Sequence, residues 1–495
     1  MNGVWRSLLW KEWREQRWRV ALLISLPLLL LPVPWLTGPD YFNGSLLVPL
    51  LMFGVPTICI FIGAGLGTGE QSHRTIGFLQ ALPIGMERAA IAKLIVGGAT
   101  AFLPWVATWA VVFIWDQWDV VKDVPPLFML LGLVMAAVSV SLVFWAAAVS
   151  ANLADEVRGG AVAFLALFAP WALIGIVGQS PHLPEPVLAF LMSAAPAGIF
   201  AVAIEIEKWL QSGLSASRLI FLLFLCVTAL TVNCAVTYSF IRRFGKALKA
   251  PAGRRVVEAK PDKTAPLGPP RLSPGRAVLW RQLRETGPLA LLGAATILCI
   301  TLLVSVSVYR ESEETLFGEF AAQLAVSVWA FAGIMVSIVA GLGVFLDDLR
   351  PELNSFWRSR PINPTQSFFI RYFASLAMTL LALALPTGIV LLAVALNEDA
   401  LRLFVRGGDV TPEFFVSVLL AQAAMFSVSM AAMIFIQRPV VAAIVASLVG
   451  VAGVGLATNV EVASALTMWL VVAALVAATV LAAWRAIRSD WRWAN

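Results

Sequence analysis

Hydrophobic residues along this chain are grouped into long runs separated by short polar breaks. The runs are about 18 to 25 residues long, which is the length that a helix needs to cross a hydrocarbon core of about 30 Å. A backbone inside lipid must satisfy its own hydrogen bonds, so such runs become helices. The pattern predicts an all-α, multi-pass membrane protein of about twelve spans, at 20–37, 46–67, 93–115, 127–150, 159–178, 217–241, 288–308, 320–346, 372–396, 413–436, 439–458 and 464–484.

The composition supports a bilayer location and gives an orientation. The chain is 60% hydrophobic and 13% charged, whereas about a quarter of the residues in a soluble domain are charged. With both termini placed in the cytoplasm, 29 of the 35 Lys and Arg residues fall in inner segments, as the positive-inside rule requires. We therefore expect a protein of the inner (cytoplasmic) membrane with both termini inside. The bases flank apolar runs rather than covering a soluble domain, which excludes nucleic acid as a partner.

The two halves of the chain resemble each other. Three motifs recur in the same order: LWKEWRE at 9–15 and LWRQLRE at 279–285, AGLG at 64–67 and 340–343, and LPI at 82–84 and RPI at 360–362. Six spans in the first half give both halves the same orientation, so the repeat is parallel. We predict a first half at 1–241, a basic Pro-rich cytoplasmic linker at 242–275 and a second half at 276–495.

Each half opens with an amphipathic segment just before its first span. Trp and Leu fall on one face and bases on the other, a pattern typical of a helix that lies in the membrane interface. We call these two segments the elbow segments. Their candidate residues are Trp10, Glu12, Trp13, Trp280 and Leu283.

The loop after the second span carries a second amphipathic pattern. A polar start is followed by Ile76, Leu79 and Leu82 and then by Pro83, and a helix rarely continues through the residue before a proline. The pattern predicts a short helix near 71–82. This helix either folds onto the inner ends of the spans or presents a surface to a partner.

The elbow segment, the Gly-rich end of the second span and the following loop together resemble the permease subunit of type-2 ABC transporters. In that family the loop forms a coupling helix that docks into a separate ATPase. The resemblance implies coupling residues in the first half at Glu70, Arg74, Thr75, Leu79, Pro83 and Lys93. In the second half it implies Asp348, Arg350, Phe356, Pro361 and Arg371. The sequence departs from the Gly-Thr pair of the family's loop, because residues 74 and 75 are Arg and Thr.

The resemblance also implies an extracellular element at 179–216, with a short apolar helix near Val187–Ile204. The implied partners are the lipid bilayer and two copies of a cytoplasmic ABC ATPase, which would bind ATP and Mg²⁺. The implied activity is ATP-driven export.

Motifs for catalysis or for a resident cofactor are missing from the sequence. It contains no GxxxxGK[ST] phosphate loop and no GxSxG motif. The two histidines, His73 and His182, lie on opposite sides of the predicted membrane, and the four cysteines form no CxxC pair. We therefore expect no catalytic residue, no metal site and no cofactor held by this chain itself.

Polar residues inside the predicted spans are few. Asn233, Gln422 and the pairs Ser139/Ser141 and Ser427/Ser429 are the exceptions, and they fit either hydrogen bonding between helices or a substrate path. The scarcity of intramembrane charge disfavours ion-coupled transport. A membrane scaffold or sensor that holds a cytoplasmic partner remains the main alternative to a transporter.

Overall fold

The computed structural model describes residues 2–30, 55–72, 85–117, 126–150, 184–212, 216–246, 363–395, 412–459 and 465–490, together with Leu79 and parts of 151–174, 273–295 and 326–345. The regular structure of these residues is helical, and none of them lies in a strand. The predicted all-α class is confirmed for this part of the chain.

Eleven helices are described from end to end: α1 Asn2–Leu30, α2 Val55–Ser72, α3 Met86–Gln117, α4 Pro126–Ser150, α5 Glu185–Ala194, α6 Ile199–Ser212, α7 Ala216–Arg243, α8 Pro364–Ala395, α9 Pro412–Ile436, α10 Pro439–Asn459 and α11 Ala465–Asp490. Four of them begin with proline, a residue that fits the first helical position because its missing N–H would be unpaired there anyway. At α8 the Asn363 side chain also caps the helix, since its Oδ1 accepts a hydrogen bond from the Thr365 N–H at 3.0 Å.

Six of the described helices are long and apolar enough to cross a membrane: Met86–Ile114, Gly132–Ser150, Ala216–Arg243, Pro364–Leu392, Glu413–Ile436 and Trp469–Ser489. Each overlaps one of the predicted spans. Shorter apolar segments at Ile58–Glu70 and Pro439–Val449 overlap two more. The predicted spans at 159–178 and 320–346 are described only in part, and the predicted span at 288–308 lies largely outside the described residues.

The first helix differs from the prediction of an elbow segment followed by a separate span. α1 runs without interruption from Asn2 to Leu30, so the elbow residues and the first part of the predicted span form one helix. Helix α1 packs along α3 and also contacts α10.

The predicted helix near Val187–Ile204 is wrong as a single element. The chain forms α5 and α6 instead, separated by residues 195–198. Pro196 has no N–H to continue the helix, and the following Ala197 adopts a left-handed φ of 60°. The backbone therefore turns between two short helices.

The closest packing in the first half joins α2 to α4. A Cβ added at Gly63 would strike the Val143 carbonyl, and one added at Gly67 would strike the Ala147 carbonyl and the Ser150 side chain. Small residues four positions apart let two helix backbones approach closely, as is common in membranes. The second span is thereby fixed against the fourth.

Among the described helices, α10 is one that contacts both predicted halves. This helix of the second half packs on α1 and α2 of the first half. Val440 lies against Gly65, and the largest hydrophobic core joins α2, α3 and α4 to residues of α9 and α10. The helices within each half also share a pattern, because the third, fourth and sixth spans contact one another both as α3, α4 and α7 and as α8, α9 and α11.

Candidate functional site

The buried side of α1 carries two polar residues within an apolar stripe. Leu8, Glu12, Gln16 and Val20 repeat every four residues and are all buried, which places them on one face of the helix. A buried carboxylate must be paired to avoid a large desolvation cost. Glu12 therefore needs a basic partner from another helix.

That partner is Lys93, on the second turn of α3. Its Nζ lies 3.0 Å from Glu12 Oε2 and 3.0 Å from Oε1 of Glu70, which stands near the end of α2. Lys11 Nζ lies 2.7 Å from the same Glu70 oxygen and 3.3 Å from Glu12 Oε1. We call Lys11, Glu12, Glu70 and Lys93 the ion cluster; it joins α1, α2 and α3 at one end of the first half.

The ion cluster is held almost entirely away from solvent. Glu12, Glu70 and Lys93 are 2%, 5% and 4% exposed, and only Lys11 is partly open. Its two ammonium and two carboxylate groups balance in charge. Lys93 Nζ also lies 6.0 Å from the centre of the Phe244 ring, just after α7. Because the desolvated charges compensate one another, removal of any one of them leaves another uncompensated.

Electrostatics keep Lys11 protonated. Burial lowers the pKa of Lys11, but the charge of Glu12, the hydrogen bond and charge of Glu70 and the charge of Glu15 together raise the pKa well above its ordinary value of 10.5. The ammonium form therefore persists throughout the physiological pH range.

Three carboxylates approach one another in this region, since ligand oxygens of Glu12, Glu15 and Glu70 lie within 4.8 Å of one another. Such a group can bind a metal ion when no other cation is present. Here Lys11 and Lys93 supply the positive charge between these oxygens. The arrangement is that of a salt-bridge network rather than of an open metal site.

The structure brings together three residues that the sequence placed in different candidate sets. Glu12 was a candidate of the elbow segment, and Glu70 and Lys93 were candidates of the coupling loop. Leu79 of the loop is buried within the chain itself. Trp10 and Trp13 lie on the exposed side of α1. The candidates Arg74, Thr75 and Pro83 lie outside the described residues.

The second half keeps the same burial but not the same charges. Gln282 corresponds to Glu12 in the aligned motifs and is also 2% exposed, and Arg371, the counterpart of Lys93, is buried too. Gln282 Nε2 donates a hydrogen bond to Ser375 Oγ at 2.8 Å. The Arg371 guanidinium lies 5.9 Å from the centre of the Phe345 ring. Gln282 thus makes a neutral hydrogen bond at the position where Glu12 of the first half forms an ion pair.

The other candidates of the second half are divided between exposed and undescribed positions. Trp280 and Leu283 are exposed. The coupling candidates Asp348, Arg350, Phe356 and Pro361 lie outside the described residues.

The polar residues inside the spans make hydrogen bonds between helices, as one of the two sequence interpretations predicted. Ser141 Oγ donates to Asn233 Oδ1 at 2.6 Å, and Trp105 Nε1 donates to Ser139 Oγ at 3.0 Å. In the second half Tyr372 and Ser427 share a hydrogen bond of 2.9 Å, and Gln422 Nε2 donates to the Trp329 carbonyl at 3.0 Å. These bonds join neighbouring helices, whereas Ser429 Oγ bonds to carbonyls of its own helix. They favour a structural role for the side chains.

Sequence reasoning missed Lys11 and the pairing itself. The signal was present, because Glu12 and Gln16 interrupt an otherwise apolar four-residue repeat, and an interruption of this kind calls for a polar partner. The partner could not be named from the pattern, since Glu70 and Lys93 lie 59 and 81 residues away from the residues they bind.

Comparison of the sequence with protein-family models and with curated proteins finds no match. The functional argument therefore rests on the residues of this chain.

Proposed function

We propose that this chain is the membrane-spanning subunit of an exporter that is driven by a separate cytoplasmic ATPase, with two ATPase copies, one under each half. The ion cluster is the observation that carries this proposal. It fixes both ends of the loop between α2 and α3 to α1 through buried charges. A displacement of this loop would therefore move α1, α2 and α3 together.

The loop begins where α2 ends, at Ser72, and α3 starts at Met86. Glu70 lies in the last turn of α2 and Lys93 lies about two turns into α3, and both bind α1 residues. A force on the loop would need to separate buried charges before α1, α2 and α3 could move independently, and this separation is costly. The three helices are therefore expected to move as one body.

Movement of that body would reach the other half directly. α10 packs on both α1 and α2, with Val440 seated against Gly65. A shift of the first-half helices would therefore displace α10, as an alternating-access cycle between two halves requires. ATP and Mg²⁺ would be bound by the partner ATPase, because this sequence has no phosphate loop.

A test of this function begins with purification of the full chain from its own membrane together with its bound proteins. We expect a P-loop ATPase to accompany it, and we expect ATP turnover by that protein to change when the chain is present in lipid vesicles. Glu12→Gln should weaken this dependence while the ATPase still binds. Glu87→Gln is the matched control, because Glu87 forms an exposed ion pair with Arg242 at 3.8 Å.

Other outcomes would favour the alternatives. A bound cytoplasmic partner without nucleotide turnover would favour the scaffold or sensor. Transport that follows a proton or sodium gradient and ignores ATP would favour an ion-coupled carrier. Either result would refute the ATPase-driven exporter.

A further inference from the structure

An aromatic residue followed four positions later by arginine occurs near both ends of each predicted half. Four such pairs are Trp10 and Arg14, Tyr238 and Arg242, Trp280 and Arg284, and Trp484 and Arg488; Trp13 and Arg17 repeat the spacing on α1. Residues four apart on a helix lie on the same face. The spacing therefore allows each arginine to lie against its aromatic ring.

In three of the pairs the guanidinium does lie over the ring. The guanidinium carbon is 5.2 Å from the centre of the Tyr238 ring, 5.5 Å from that of Trp280 and 5.5 Å from that of Trp484. On α1 a neighbouring arginine makes a similar contact, with Arg17 5.6 Å from the centre of the Trp18 ring. Stacking of this kind orients the planar guanidinium and leaves its N–H edges open.

The rings of Trp10, Tyr238 and Trp280 are exposed, whereas the Trp484 ring is half-buried. Tyr238 and Trp280 are each 57% exposed, and Arg242 and Arg488 fall in the last turns of α7 and α11. The predicted topology places all four pairs on the cytoplasmic side. Exposed Trp and Tyr at the end of a span are typical of the level of the lipid headgroups.

The arginines at this level are available for an external anion. Among the described residues, Arg284 and Arg488 form no ion pair, while Arg242 pairs with the exposed Glu87 at 3.8 Å and donates a hydrogen bond from Nε to the Tyr238 hydroxyl at 2.7 Å. A guanidinium fixed by stacking can donate two parallel hydrogen bonds to a phosphate. Beside a membrane, the anion of that shape and charge is a phospholipid headgroup.

We propose that the stacked aromatic–arginine pairs bind the headgroups of anionic phospholipids in the cytoplasmic leaflet. Each pair supplies a flat ring at the headgroup level and an oriented cation for the phosphate. Phosphatidylglycerol, with its net negative charge, should bind better than the zwitterionic phosphatidylcholine. The pairs would thus anchor the first and last helices of each half to the leaflet.

The experiment measures lipid binding to the purified full-length chain by native mass spectrometry in an uncharged detergent. Dioleoyl phosphatidylglycerol and dioleoyl phosphatidylcholine serve as the two probes. The double variant Arg284→Gln with Arg488→Gln should lose phosphatidylglycerol affinity by about tenfold or more. Its phosphatidylcholine affinity should fall much less, because the choline group offsets the charge of the phosphate.

The control double variant is Arg243→Gln with Arg438→Gln. It removes the same charge from exposed residues at inner helix ends, but Ser239 and Ile434 precede these arginines by four positions instead of an aromatic residue. We expect this control to lose much less phosphatidylglycerol affinity than the test variant. An equal loss in both double variants would replace headgroup recognition with general charge attraction and overturn the proposal, as would equal affinity of the unmodified chain for the two lipids.

Trp280→Leu separates stacking from charge, because it removes an exposed ring and keeps Arg284. We expect an intermediate loss of phosphatidylglycerol affinity, since the guanidinium would no longer be oriented. Unchanged affinity would show that the ring plays no part and would also overturn the proposal.

Discussion

Glu12→Gln is the most informative perturbation of the ion cluster. It removes one negative charge while nearly preserving the shape of the side chain. Among the described residues, Glu70 would then be the buried carboxylate that Lys11 and Lys93 share. The amide oxygen of glutamine can still accept one hydrogen bond, so the effect reports mainly the loss of charge.

The magnitude follows from the geometry. At an effective dielectric constant of about 20, unit charges 3.0 Å apart attract by about 5.5 kcal/mol. In the intact cluster this attraction offsets desolvation costs of several kcal/mol per ion. Without Glu12 the desolvation of Lys93 remains and half of its attraction is lost. We expect Glu12→Gln to lower the free energy of unfolding by about 3 kcal/mol, near the lower end of the range for a broken buried ion pair.

The assay compares thermal unfolding midpoints of matched variants in one detergent at one scan rate, because unfolding of a membrane protein is often irreversible. For a chain of 495 residues, a loss of about 3 kcal/mol should lower the midpoint by about 3–6 °C. Glu87→Gln makes the same chemical change in an exposed pair and should have little effect.

A double-mutant cycle tests the pairing directly. Lys93→Met should also destabilise the protein, but Glu12→Gln with Lys93→Met should be less destabilised than the sum of the two single changes, by about 1 kcal/mol or more. Equal midpoints for Glu12→Gln and Glu87→Gln, or strict additivity in the cycle, would refute the buried ion pair.

Two further predictions concern packing and pH. Gly63→Ala should lower the free energy of unfolding by about 1–3 kcal/mol, because the new Cβ would strike the Val143 carbonyl. The control Gly388→Ala, with open space at that position, should be neutral or stabilising. Equal unfolding midpoints for the two variants would contradict the close packing of α2 on α4. Lys11 has a raised pKa in the folded protein, so its contribution to stability is fully present below its ordinary pKa of 10.5 and is lost as the pH rises beyond that value. The midpoint difference between the unmodified chain and Lys11→Met should therefore be constant between about pH 7 and 9 and shrink above about pH 10.5, and a difference that grows there would contradict the assigned pairing.

Local pattern was sufficient to place the apolar helices. The six described helices of spanning length fall on predicted spans, because the length of an apolar run and the rise per residue are properties of the sequence alone. Hydrogen bonding between helices, one of the two interpretations of the polar residues in the spans, agrees with several of their contacts. Ser139 and Ser427, which occupy corresponding positions, each hydrogen-bond an aromatic residue of the third span.

Local pattern was insufficient where a helix end depends on its surroundings. The continuity of α1 through the elbow segment was not predicted, since amphipathic and apolar stretches can join without a break when neither contains a stop signal. The division between α5 and α6 was missed because Pro196 lies inside an apolar run, which suggested one helix. The sequence identified these segments but not how they end.

The sequence by itself determined that the chain is helical, which of its apolar helices are long enough to cross a membrane and which residues interrupt their apolar faces. Tertiary structure alone decided that Glu12 binds Lys93, that Glu70 joins them, and that α10 crosses to α1 and α2. The physical reason is the range of each effect. Periodicity acts over one or two helical turns, whereas the ion cluster depends on how three helices pack, and packing places residues up to 81 positions apart within 3.0 Å of each other.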